Sequence, residues 1–416
     1  MGRRGAGGGS PGAEADFRKL WVGRTVSLAG SQVSQLALPL TAVGLLHASA
    51  WQMGLLEAAG SLPWLLFALP AGVWVDRRPH RPVMVAADAG RALLVAAVVL
   101  AVPLHRLRLP LLYAVALATG SLTVLFDLAD HAYLPGLVGR ERLVEANGRL
   151  QLSQSLAMLA GPGLAGFLVQ AVGAPRALVV DALSYLVSAA ALLFIQKAES
   201  PPAATGGPLA GELRQGLETV FRHPLLRALV GYAATLNLVD GMLMAVLILF
   251  LTRELGLRPA EIGLGLSMGA VGGVLGALAA GRLGRRAGVT RSLRLAALLH
   301  AAGLALLPAA SGPHAARLAV GTSAAFLVLM ASTASNTLTV SLRQSVTPDR
   351  LLARVTASVR VVIWGVGPLA ALAGGALGHA LGLRPTLLVV AAGSLLAFPW
   401  LYLPPLGRLE RVPEMR

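Results

Sequence analysis

Apolar runs long enough to cross a membrane recur twelve times along this chain, and no other feature narrows its possible folds as far. They fall near residues 20–46, 53–75, 83–104, 109–131, 150–172 and 175–196, and again near 226–251, 262–281, 291–310, 317–340, 355–380 and 385–405. A hydrocarbon core of about 30 Å takes roughly 20 helical residues. Lipid satisfies no backbone hydrogen bond, so each run is expected to be a helix. The expected fold class is an all-α integral membrane protein of twelve transmembrane helices. Charged residues are only 13% of the 416, against about 25% in a soluble chain. That is too few to cover a soluble surface of this size.

The formal net charge is nevertheless +16. A nucleic-acid-binding domain gathers such charge into a patch on a polar fold. Here the cations punctuate apolar runs, which suits anionic lipid headgroups and argues against nucleic acid. Cytoplasmic loops carry the excess of Lys and Arg. With the amino terminus inside, the inner segments hold 26 and the outer loops seven, while Arg24 and Arg91 lie within spans. Both termini are therefore expected in the cytoplasm, with the chain in the cell inner membrane. The first apolar run exceeds a signal-peptide core and reads as a retained span. The chain has no cysteine, so a disulfide framework and a thiolate metal site are both excluded.

Between the sixth and seventh runs, Leu213, Leu217, Val220 and Phe221 fall at helical spacing on one side, with Glu212, Arg214 and Glu218 elsewhere. The pattern predicts an amphipathic helix on the inner membrane surface. It divides the chain into a tail (1–19), a six-helix bundle (20–196), a linker (197–225), a second six-helix bundle (226–405) and a tail (406–416). A repeat offset by about 205 to 208 residues supports the division. Gly72-Val-Trp-Val-Asp76-Arg77-Arg78-Pro79-His80-Arg81 follows the second run, and Gly281-Arg282-Leu283-Gly284-Arg285-Arg286 the eighth. Gly161-Pro162-Gly163 with Gly166 lies in the fifth run, and Gly367-Pro368 with Gly374-Gly375 in the eleventh.

These motifs resemble the major facilitator superfamily, whose loop between spans two and three reads Gly-x-x-x-Asp-Arg-x-Gly-Arg-Arg. Gly72, Asp76, Arg77 and Arg81 match it. Arg282, Gly284, Arg285 and Arg286 match in the second half, where Gly281 replaces the acid. The segments Phe17-Arg-Lys-Leu-Trp21, Asp88-Ala-Gly-Arg91, Glu145-Ala-Asn147 and Glu212-Leu-Arg-Gln-Gly216 resemble the twelve-span branch of macrolide and enterobactin exporters. The resemblance implies two pseudo-symmetric six-helix halves, alternating access, and export of a lipophilic small molecule such as a drug, macrolide-like compound or siderophore. Lysophospholipid movement or solute uptake is the alternative within transport; a non-transporting receptor or an enzyme is the reading outside it. The sister branches place an Arg within span four, where residues 109–126 have none, so proton coupling either uses another arrangement or is absent.

The first inner loop is expected to gate. Asp76 can accept hydrogen bonds from the amino terminus of span eleven in one state and lose them in the other. Arg77 and Arg81 are expected to pair with inner-loop acids such as Glu141 or Asp349. Gly161, Pro162, Gly163 and Gly166 remove bulk and a backbone donor, letting a neighbouring helix approach. Charges inside spans face the bundle interior. Asp240, near the middle of span seven and one turn from Asn237, is the first proton-coupling candidate; Asp127 and Asp130, clustered with His131, are the second. Asp88 and Arg91 are expected to neutralise one another across a turn. Glu57, Asp181 and Arg24 read as structural charges near span ends. Gln32, Gln35, Trp64, Asn237 and Trp364 are candidates for lining a substrate cavity.

Only two lysines occur, Lys19 and Lys197, each followed by an apolar residue. A Gly-Lys-Ser/Thr nucleotide loop is therefore absent. No His-Glu-x-x-His metal motif occurs either. The expectation is a monomeric transporter with no cofactor, partnered by a small-molecule substrate, membrane lipids and protons.

Overall fold

The computed structural model describes residues 11–199, 209–404 and 406–408. Among them are thirteen α-helices and no strand: α1 (Pro11–Gly44), α2 (Ala50–Asp76), α3 (His80–Ala101), α4 (Leu109–Val138), α5 (Leu143–Val172), α6 (Ala174–Leu193), α7 (Leu209–Arg222), α8 (Pro224–Leu249), α9 (Pro259–Ala287), α10 (Val289–Ala309), α11 (His314–Val346), α12 (Asp349–Leu381) and α13 (Leu383–Ser394). All but α7 coincide with the apolar runs. Ten are long and apolar enough to span, and α2 makes an eleventh as a broken span bent by 60° between Phe67 and Pro70. The first run does not meet that measure because Arg24, Thr25, Ser31, Gln32, Ser34 and Gln35 thin its hydropathy.

Local chemistry sets the corners. Ser49 and Gln52 form a reciprocal capping box at the start of α2, with Ser49 N donating to Gln52 Oε1 at 2.8 Å, so two otherwise orphaned amides are satisfied. The α5–α6 and α12–α13 turns run through Gly173 and Gly382 at φ 86° and 91°, where a Cβ would be strained. The two glycines stand 209 positions apart, marking the same corner in each half.

Helices α1–α6 pack on one another, as do α8–α13, and the two bundles meet through α2 on α12 and α5 on α9. We call the face holding Pro11 and the α2–α3 turn the terminal side, and the opposite face the distal side. One hydrophobic core occupies the distal side and draws on both bundles, from Leu40, Val43 and Met53 to Val246, Phe250, Ile262 and Leu387. On the terminal side the core splits. Phe17, Leu20, Met84, Phe126 and Tyr133 belong to the first bundle alone, and Tyr232, Leu293, Leu338 and Leu401 to the second. The bundles are thus fused distally and apart terminally.

The linker helix α7 packs along α12. Val220 is buried against Val355 and Val359. A Cβ on Gly216 would stand 2.5 Å from the Arg354 carbonyl oxygen, so this turn of α7 rests directly on α12 backbone. The surface-lying helix expected from the sequence is therefore partly a docked one, with Phe221 left exposed. The side chains of Glu212, Leu213 and Arg214 lie outside the described residues.

Candidate functional site

Two joints of small residues close the distal side. A Cβ on Gly166 would stand 2.4 Å from the Pro259 carbonyl oxygen and 3.0 Å from the Gly263 Cα. One on Gly54 would stand 2.6 Å from the Ala371 carbonyl oxygen and 2.8 Å from the Gly375 Cα. Backbones approach this closely only where both helices lack side chains. Gly263 stands 209 positions after Gly54, and Gly375 the same distance after Gly166, so the joints are two copies of one contact. Beside Pro162, the Gly163 N–H donates to Ser267 Oγ across the halves at 2.9 Å. Gly161 admits the Gln32 side chain, whose Cγ would lie 2.4 Å from an added Cβ. Arg253 donates to the Ala48 carbonyl oxygen at 3.0 Å, and the Ala260 N–H to Gln170 Oε1 at 3.2 Å.

On the terminal side of the joints the two halves keep separate cores, which leaves a gap between them. Trp64 and Trp364 pack edge to face, with centroids 4.9 Å apart and planes at 82°. They come one from each half. Gln35 is exposed and Gln32 half-buried. Asn237 donates to the Ala233 carbonyl oxygen of its own helix at 2.9 Å. An apolar recess lies within the second half between α8, α9 and α11, lined by Met244, Leu247, Ile262, Leu266 and Val328. Asp240 lies one turn from Met244.

Asp240 is paired. Its Oδ1 lies 2.9 Å from Nε2 of His300 on α10. His300 is fully buried, its Nδ1 has no partner among the described residues, and the Asp240 side chain stays 34% exposed. One end of the pair therefore reaches solvent while the other is sealed. Sequence reasoning missed His300: a single His in an apolar run carries no pattern, and its partner is 60 positions away.

In the first half, Asp88 and Arg91 do pair across a turn of α3, both buried. The guanidinium carbon sits 4.5 Å from the Phe126 ring centroid and 4.4 Å from that of Tyr185. Asp181 is fully buried, taking hydrogen bonds from Ser31 at 3.5 Å and Ser184 at 3.2 Å. Arg24 pairs with buried Asp130. Asp130 is thereby drawn away from His131, which is exposed, leaving Asp127 half-buried within reach of the Arg24 charge. Helical phase explains this, since adjacent residues such as Asp130 and His131 leave the helix in different directions.

At the α2–α3 turn, Asp76 and Arg77 are exposed, and neither side chain has a hydrogen bond or ion pair among the described residues. Arg78 stacks on Trp74 at 4.2 Å. Arg81 reaches the Leu193 carbonyl oxygen at the end of α6, not Glu141; the Asp349 side chain lies outside the described residues. A Cβ on Gly72 would meet open space. Arg282, Arg285 and Arg286 are exposed at the end of α9, and Gly284 is half-buried against Leu338.

Two helical bundles closed on one side around a cavity with ionisable walls are the build of a membrane transporter for a small molecule. The Major Facilitator Superfamily profile matches residues 20–371, and the chain belongs to that family. It is 26% identical to the enterobactin exporter EntS of Salmonella typhimurium over 397 residues, 92% of this chain and 89% of that protein. It is 27% identical to the uncharacterized MFS-type transporter YfiS of Bacillus subtilis over 213 residues, where the match spans only 50% of this chain and 49% of that protein. Among solved structures, the nucleoside transporter NupG superposes with TM-score 0.76 at 11% identity, covering 93% of this chain and 98% of that one. A bacterial homologue of ferroportin in its inward-facing state gives 0.70 at 18%, covering 92% and 98%. These likenesses show the fold.

Proposed function

We propose that this chain exports a lipophilic small molecule, such as a drug, a macrolide-like compound or a siderophore, by alternating access coupled to proton antiport. It works as a monomer among the lipids of the cell inner membrane, with both termini in the cytoplasm. The terminal side is then the cytoplasmic one and the cavity stands open to it. The observation that carries the coupling is the Asp240–His300 pair. A carboxylate facing a cavity can exchange a proton with whichever side is open, and the imidazole at hydrogen-bond distance holds it in position. With the cavity open to the cytoplasm, proton loss from Asp240 leaves an ionised group that resists burial on closure until bound substrate shields it. Proton uptake from the outside removes that charge and lets the cavity return inward. The 26% identity to an enterobactin exporter over 92% of the chain supports export as the direction.

The test is uptake of radiolabelled candidates into inverted membrane vesicles, with and without an imposed proton gradient. Gradient-driven accumulation is expected, falling about tenfold or more in Asp240→Asn and His300→Gln. Uptake indifferent to the gradient would remove antiport. Unchanged gradient-driven uptake by Asp240→Asn would remove the coupling assignment.

A further inference from the structure

Glu57 reads from the sequence as a structural charge near a span end, and the structure puts it elsewhere. Its side chain is exposed although it stands on a helix packed against α4, α8 and α12, as a residue facing a space between those helices would be. Helix geometry agrees. Successive residues turn by about 100°, so Glu57 lies between Gly54, which abuts Gly375 of α12, and Gly60, whose carbonyl oxygen faces Gly120 of α4. It is within about 20° of Trp64 on the same face. No hydrogen bond or ion pair reaches its carboxylate among the described residues. Asp88, Asp130, Asp181 and Asp240 all have partners.

An unpartnered carboxylate in a low-dielectric setting is costly, and its retention marks a ligand or ion site. Its surroundings give the ligand's shape. Toward the terminal side, two turns or about 10 Å along α2, the Trp64 and Trp364 rings form an apolar wall contributed by both halves. Tryptophan faces attract cations, and Trp364 already holds the Arg360 guanidinium at 5.7 Å. Arg360 and Arg343 lie toward the terminal mouth, while Glu57 and Asp240 lie deeper. Negative charge therefore sits at the inner end of the cavity.

Within the transport reading proposed above, we propose that Glu57, Trp64 and Trp364 form a binding site for a lipophilic organic cation. The positive group sits at Glu57 beneath the distal joint, and the apolar body lies against the two indoles. The carboxylate supplies charge complementarity and the indoles supply area.

The probes are tetraphenylphosphonium and tetraphenylborate, which match in size and oppose in charge, titrated separately against purified detergent-solubilised protein by tryptophan fluorescence. Tetraphenylphosphonium is expected to bind at least about tenfold tighter than tetraphenylborate. Glu57→Gln should erase that preference by weakening the cation about tenfold, and Glu57→Asp should keep most of it. Trp64→Phe with Trp364→Phe should remove most of the quenching. Equal or tighter binding of the borate, or an unchanged preference in monodisperse Glu57→Gln, overturns the site. Binding in detergent needs neither a gradient nor a direction. Cation preference without proton-driven uptake would thus overturn antiport alone, and the reverse result would overturn this site alone.

Discussion

The Cα of Gly263 lies where a side chain on Gly166 would have to go, 3.0 Å from the position of its Cβ. The Gly54–Gly375 contact repeats the relationship in the other copy of the repeat. Backbone-to-backbone packing of this kind gains dispersion energy only while both positions stay bare, and together with three hydrogen bonds across the halves it holds the distal side shut.

Gly166→Val is therefore expected to push the distal joint apart. Overpacking costs about 1–3 kcal/mol, enough to favour the distally open state several-fold to a hundredfold. The chain has no cysteine, so spin labels at Val172→Cys and Arg258→Cys, near the distal ends of α5 and α9, report the distance cleanly. An unchanged distance distribution would contradict the joint's role.

Asp88 and Arg91 make a different forecast, because each neutralises the other inside the bundle. Asp88→Asn or Arg91→Met alone should cost about 3–5 kcal/mol by stranding a buried charge or site. The double variant should recover a large part of that loss. Thermal unfolding in detergent checks it, and additive losses would show that the two residues act independently.

Glu14 ties the start of α1 to α5. It takes hydrogen bonds from Arg142 and, at 3.0 Å, from Arg149, and these guanidinium groups hold its carboxyl below the ordinary value of 4.5. A depressed folded-state pKa gives stability that is present above the unfolded value and lost as pH falls through the folded one. Glu14→Gln should lower the unfolding temperature at pH 7 and make no difference once the wild-type carboxyl is protonated. The gap between the two proteins should close as pH drops below about 4.5. A gap that persists or widens in acid would show that Glu14 acts otherwise.

The Asp76 side chain has no partner among the described residues in this terminally open arrangement. If it caps α12 when the terminal side closes, Asp76→Ala should disfavour closure by about 0.5–2 kcal/mol, and labels at Val144→Cys and Leu283→Cys should shift toward the longer distance. No shift would leave Asp76 without a gating role.

The sequence by itself determined the helices, their number to within one or two, and the repeat, because each follows from local quantities. An apolar run must satisfy its own backbone in lipid, and the Gly72–Arg81 and Gly281–Arg286 segments are readable as strings. It also made Asp240 and the Trp64 and Trp364 candidates visible as polar or flat residues in apolar runs. What it left open is everything that depends on which helix stands opposite. Gly161 to Gly166 are legible as a packing motif, but their partners on α9 are not. Asp240 needed His300 from another helix, and Asp130 turned from its chain neighbour His131 to Arg24. Glu57, read as a structural charge, is exposed and its carboxylate has no partner among the described residues. A helix presents every azimuth equally in sequence, and only the packing of the two bundles decides which azimuth is sealed, which is paired and which faces the open cavity.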